Sequence, residues 1–309
     1  MARKRTQYRT TLCSTLAALV LAPLATSAQE LEPRAYTNAP VGLNFFIIAL
    51  ANSDGGLATD PSIPLQDAKL KIHSSIFDYT RSLDLWGKSG KIDIILPFAQ
   101  LSGTASLSGQ PVERDVSGFG DPRVRLSANL YGAPALTMEK FAGYKPGLVI
   151  GTSFMVSAPG AQYDPDKLVN IATNRWSFKP DIGFSKPFGA VTLDFTAGVT
   201  FYSDNDDFFG GKTREQDPVY SAQINLSYNI GKGMWTAVGT TYYRGGRTTV
   251  DGVSNDDELR NSRAGVILAV PLNRYHSIKF NVSSGISTRT GTDFDTAGIA
   301  WQYRWGAGL

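Results

Sequence analysis

Apolar and polar residues alternate with a period of two along most of this chain. In Lys91–Phe98 the residues Ile92, Ile94, Leu96 and Phe98 share one face, and in Arg123–Leu130 Val124, Leu126, Ala128 and Leu130 alternate with Arg123, Arg125, Ser127 and Asn129. Val191–Tyr202 sets Val191, Leu193, Phe195, Ala197, Val199 and Phe201 against Thr192, Asp194, Thr196 and Thr200. The same pattern runs through Val219–Ile230, Ser277–Ser287 and Ala297–Trp305, and no position on the apolar face of these six segments is charged. A β-strand sends successive side chains to opposite sides, so the alternation predicts strands with two unlike faces. Less regular alternation predicts six more, over Val41–Ala51, Ala68–Tyr79, Gly147–Ala158, Trp176–Lys186, Met234–Tyr243 and Arg263–Val270. The total is about twelve, each near the length a tilted strand needs to cross a bilayer.

A soluble β-sandwich would show the same alternation, with its apolar face turned to a core. The connections separate the two. Asn52–Asp67, Leu101–Gly120, Pro159–Arg175, Asp204–Pro218 and Arg244–Ser262 are long and polar, whereas Trp86–Ser89, Pro187–Ala190, Gly231–Gly233 and Leu272–His276 are tight. Only Tyr131–Lys145 breaks the order. Long outer loops and short periplasmic turns alternate in this way in bacterial membrane barrels, and aromatic girdles sit at both interfaces. Tyr131, Trp176, Tyr202, Tyr242 and Trp305 fall at strand ends, as such girdles require. No stretch reaches ~18 consecutive apolar residues, so no transmembrane helix is predicted. The expected fold is all-β: a transmembrane antiparallel up-and-down β-barrel of about twelve strands.

The first residues place that barrel. Arg3, Lys4, Arg5 and Arg9 precede an uncharged Leu/Ala-rich run from Thr11 to Leu24, followed by Thr26-Ser27-Ala28. This is the layout of a secretory signal peptide with a small-residue cleavage site. The organisation expected is a leader over 1–28 and a barrel over 29–309. Cleavage removes four of the 30 Lys+Arg and none of the 27 Asp+Glu, which turns a formal +3 into −1. The pI of 8.8 therefore reflects the leader and gives no ground for nucleic-acid binding. The single cysteine, Cys13, leaves as well, so disulfides cannot staple the mature chain. The expected home is the outer membrane of a Gram-negative cell, with outer-membrane lipids, lipopolysaccharide and the barrel-assembly machinery as partners.

Several local runs carry a resemblance. Ser117-Gly118-Phe119-Gly120-Asp121-Pro122-Arg123, then Leu130-Tyr131-Gly132-Ala133-Pro134-Ala135, resemble the MetA-pathway phenol-degradation family of outer-membrane proteins. So do Ser82–Trp86 leading to Leu96-Pro97-Phe98, and Trp176-Ser177-Phe178-Lys179-Pro180-Asp181. The resemblance spans nearly the whole mature chain. Its motifs look structural, a tight Gly-Asp-Pro lead into a strand rather than a reactive site. It implies a barrel transporter for small apolar or aromatic compounds. Barrel chains usually end on an aromatic residue, whereas here Trp301, Tyr303 and Trp305 are followed by Gly306-Ala307-Gly308-Leu309, so the insertion signal is expected slightly inside the terminus.

Candidate chemistry is sparse. The mature chain lacks a Gly-x-Ser-x-Gly elbow, a His-Glu-x-x-His motif and a phosphate-binding loop, so no enzyme, cofactor or resident metal is expected. Asp204-Asn205-Asp206-Asp207 with Glu215 faintly resembles a calcium loop, but Phe209 stands where that loop requires glycine. Phe208 and Phe209 in the same loop are a candidate hydrophobic gate. Taking the polar face as inward puts Lys69, Lys71, His73, Lys91, Asp93, Arg123, Arg125, Asp181 and Asp194 on the lumen wall, with the cations of strands two to four forming one patch. A ring of basic side chains would favour anionic solutes. The leading reading is an outer-membrane channel for small, apolar or aromatic, including anionic, solutes. The alternatives are a structural or adhesive barrel with a plugged lumen, and a membrane-embedded lipid enzyme using His73.

Overall fold

A computed structural model describes residues 31–58, 65–107 and 109–309; the leader over 1–28 lies outside them. In chain order the elements are β1 (Leu43–Ala58), β2 (Leu65–Leu85), β3 (Lys88–Leu107), β4 (Gln110–Phe119), β5 (Arg123–Tyr131), α1 (Met138–Phe141), β6 (Val149–Ser157), β7 (Ser177–Phe188), β8 (Val191–Tyr202), β9 (Asn205–Phe208), β10 (Lys212–Gln216), β11 (Val219–Gly231), β12 (Met234–Gly245), β13 (Thr248–Val250), β14 (Val253–Ser254), β15 (Leu259–Pro271), β16 (His276–Ser287) and β17 (Gly291–Gly306). Twelve of these strands pair antiparallel with their neighbours, and β1–β17, β1–β2 and β2–β3 pairing closes the ring. Closure leaves the ring no free strand edge, which is what lets a sheet cross hydrocarbon.

The register lines up the alternation seen in the sequence. One rung runs Leu193–Leu226–Val238–Val266–Val282–Ala297 across six strands. These side chains face out: Val238 and Val282 are each more than half exposed, while Asp93, Asn225 and Arg263 on the opposite face are at most 5% exposed. A barrel in lipid has this inverted distribution. An aromatic stack of Trp301, Tyr303 and Trp305 with His276 marks the periplasmic girdle. His276, the last residue of the tight turn Leu272–His276, thus opens β16 inside that belt.

The tight turns work as their sequences suggest. Trp86 and Gly87 both take positive φ (54° and 80°), the geometry of a two-residue hairpin turn between right-twisted strands. The long connections hold more structure than expected. Leu101–Gly120, read as a loop, contains the upper part of β3 and all of β4, which pair as a hairpin extending above the barrel. The loops after β8 and β12 contribute β9, β10, β13 and β14, which form a separate four-stranded sheet at the extracellular end.

Candidate solute pathway

The polar faces of the strands meet inside the barrel. Asp93 on β3 accepts from Thr80 Oγ1 at 2.7 Å and from Arg125 Nε at 3.0 Å. Arg125 Nη1 reaches Glu32 Oε2 at 2.6 Å. Glu32 belongs to the segment before β1, which enters the lumen and binds strands all round it. Glu32 N donates to Gln223 Oε1 (3.0 Å), Arg34 N to Asp194 Oδ2 (3.2 Å), and Lys91 Nζ to Ala35 O (2.6 Å). The Arg34 guanidinium lies 5.2 Å from the Trp235 ring centroid. Tyr36 donates to Asp181 Oδ1, and Asp181 Oδ2 also accepts from Ser153 Oγ at 2.7 Å. The wall is cut to fit this tyrosine: a Cβ on Gly151 or Gly183 would stand 2.2 Å or 2.7 Å from its ring.

Two hollows lie along the lumen. The middle one touches Glu32, Ala35 and Tyr36; the upper one is walled by Ile72, Pro97, Ala99, Leu101, Ile171 and Tyr202 with several hydroxyls between them. They share four lining residues, Ile76, Arg123, Met155 and Lys179. Two cations and two apolar side chains therefore form the waist between an apolar chamber and a polar middle. Concave sites with mostly apolar walls and a few placed polar groups are the usual form of small-molecule sites.

The chamber roof comes from the connection between β6 and β7, which carries Ile171 and Thr173. It is tied down by Asp121, which accepts from Thr173 N (2.8 Å) and Thr173 Oγ1 (2.6 Å). Burial pushes the Asp121 carboxyl above its ordinary value. The four-stranded sheet packs on this connection, through Gly210 N to Pro165 O (2.9 Å) and Asn205 Nδ2 to Tyr163 Oη (2.7 Å).

Six of the nine residues expected on the lumen wall are there: Lys91, Asp93, Arg123, Arg125, Asp181 and Asp194. The other three are not. Leu70 and Ile72 are buried inside, and Ile72 and Ser74 line the chamber, so Lys69, Lys71 and His73 point outward. Lys71 Nζ stands 3.8 Å from Asp54 Oδ2, and His73 Nδ1 lies 2.5 Å from Asn52 Oδ1. The rule that polar means inward holds only where lipid covers the outside. The upper part of β2 rises beyond the belt, where the exterior meets water and the interior packs a core of Leu70, Ile72, Leu101 and Phe294. The single cationic patch is also divided, because Arg125 is paired to Asp93 and Glu32 while Arg123 lines the waist. Phe208 is buried against Val250, with Leu168 and Phe209 beside it, and neither phenylalanine is among the chamber's lining residues.

Sequence reasoning missed Lys179 and Tyr202, although both stand on the polar face of their strands; Tyr202 was placed in a girdle instead. It missed the segment from Leu31 to Thr37 altogether, since these residues carry no alternation.

The family model for the MetA-pathway of phenol degradation matches residues 51–303. No curated protein matches the chain. Among solved structures, the chain is similar to the COG4313 outer membrane channel from Pseudomonas putida F1, with a TM-score of 0.77, 22% identity, and coverage of 89% of this chain and 100% of that one. It is also similar to the transport unit of the autotransporter AIDA-I from Escherichia coli, with a TM-score of 0.53, 10% identity, and coverage of 90% and 95%. These similar structures are transport proteins rather than enzymes.

Proposed function

The chain belongs to the MetA-pathway phenol-degradation family, and from that premise we propose that it is an outer-membrane channel for small aromatic or apolar solutes, carboxylates included. One observation carries the reading: an apolar chamber whose floor is a waist holding Arg123 and Lys179. Apolar walls take the body of such a solute out of water, and the two cations at the exit attract its carboxylate. Lys179 makes no ion pair among the described residues, so its charge is available at the waist. The reading needs no cofactor. Its likeness to a solved outer-membrane channel supports the fold on which it rests.

The test is reversal potential in planar bilayers, for wild type and for Arg123→Glu/Lys179→Glu. Wild type is expected to prefer anions, and the double variant to lose or invert that preference. Screening should weaken the wild-type preference as salt rises. Unchanged selectivity removes the waist as a filter.

The segment across the lumen favours a second reading, a closed structural or adhesive barrel. Conductance and aromatic uptake in a deletion strain separate the two, because a closed barrel gives neither. In the channel reading, Tyr36→Ala loosens the segment and raises conductance.

A further inference from the structure

The extracellular sheet hides two arginines that the chamber and its waist do not employ. Arg175, just before β7, and Arg214, on β10, are 3% and 2% exposed. Arg175 stacks 4.2 Å from the Tyr202 ring centroid and donates from Nη2 to Gln216 Oε1. Arg214 lies 5.4 Å from the Phe208 ring centroid. Neither makes an ion pair among the described residues. Nε and Nη1 of Arg175, and Nε and Nη2 of Arg214, have no hydrogen-bond partner among the described residues.

Nearby acids do not meet this need. Asp257 accepts from Thr248 N at 2.8 Å and Thr248 Oγ1 at 2.6 Å. Asp121 takes both Thr173 bonds on Oδ2, and among the described residues neither its Oδ1 nor Asp204 forms a hydrogen bond or ion pair with either guanidinium. Burial lowers the pKa of both arginines, and Arg175 lowers that of Arg214 further. Two buried guanidiniums that repel each other and leave four donors unmet are costly, since each unsatisfied buried group loses about 1–3 kcal/mol of solvation, more when charged. Surfaces of this kind suit a ligand that brings the missing acceptors. A planar fork matches the two oxygens of a carboxylate, and the flanking rings of Tyr202 and Phe208 suit an apolar or aromatic body.

We propose that Arg175 and Arg214 form a carboxylate-binding site in the extracellular cap, which takes the anionic head of a solute before it passes Tyr202 into the chamber. The proposal rests on the channel reading and names the solute class. The four donors open to the carboxylate when the β9–β10 hairpin swings away from the connection beneath it. That motion breaks the bonds from Gly210 N to Pro165 O and from Asn205 Nδ2 to Tyr163 Oη that hold the hairpin down.

The experiment titrates benzoate and its neutral comparator benzyl alcohol into the full-length protein in detergent micelles, by calorimetry. Wild type should bind benzoate at least about tenfold more tightly than benzyl alcohol. Arg175→Gln and Arg214→Gln should each lose about tenfold for benzoate and leave benzyl alcohol unchanged. Arg123→Gln, at the waist, serves as the comparison that keeps the cap intact. Should a glutamine variant fail to fold, Arg175→Lys and Arg214→Lys keep the charge and remove the fork, and the same loss is expected. Benzoate affinity unchanged in folded cap variants, or lost only in Arg123→Gln, overturns the site. Uptake of both compounds in a deletion strain keeps the two ideas apart. Wild-type uptake with benzoate affinity indifferent to the cap variants sinks the site and leaves the channel. Cap-dependent benzoate binding without any uptake supports the site and sinks the channel.

Discussion

The lower and upper halves of the same strands obey opposite rules. Low on β3, Ile94 is 50% exposed on the outside while Asp93 is 3% exposed within; near its top, Leu101 is 1% exposed and faces inward. On β2 the inward Thr80 near the base gives way to inward Ile72 and Leu70, with Lys69, Lys71 and His73 outside. The alternation never changes phase; the surroundings change. Below, lipid covers the exterior and the interior is polar. Above, water covers the exterior, and the interior becomes a small core beneath the cap. A strand's two faces therefore report what each meets at a given height.

The contrast is broken most severely at the lipid belt. Phe195 faces out and Thr196 lines the lumen. Phe195→Arg should cost roughly 2–4 kcal/mol at the midplane and abolish the heat-modifiable folded band, whereas Thr196→Arg should retain it. Equal tolerance would mean the drawn outer face does not meet lipid.

A smaller effect belongs to the upper core. Ile72→Val should cost about 0.5–1.5 kcal/mol in urea unfolding from micelles, the usual loss for one buried methylene. Lys71→Leu, one residue away in water, should fall within about 0.5 kcal/mol. A larger loss at Lys71 than at Ile72 would reverse the inside-out assignment.

The smallest effect is a titration in the cap. Burial, then the neighbouring Arg175, lowers the pKa of Arg214 to about 9 from its ordinary value. Above about pH 9 the unfolded cap binds more protons than the folded one, so stability rises with pH from there toward the ordinary arginine pKa. Proteolysis of the cap in wild type, relative to Arg214→Gln, should therefore slow between about pH 8 and about pH 10. A constant ratio would show that Arg214 does not titrate in that window.

The alternation alone located all twelve barrel strands, though it stopped short of the far ends of β1, β2 and β3 and of the start of β17. It also gave the outward faces of the embedded wall and set the order of tight turns and long loops. It also put Lys91, Asp93, Arg123, Arg125, Asp181 and Asp194 on the lumen side. These features are local: a period of two needs only the strand's own geometry and one continuous medium on each side. Three things rested on tertiary structure. Lys69, Lys71 and His73 turned outward because the strands outrun the bilayer, and a sequence carries no ruler for height. Tyr36 and Glu32 entered the lumen because Gly151, Gly183, Asp181 and Arg125, brought together only by closure, made room and partners for them. Arg175 and Arg214, 39 residues apart in sequence, became neighbours because loops from different hairpins folded over one another. Contacts between loops depend on long-range closure, and no periodicity records them.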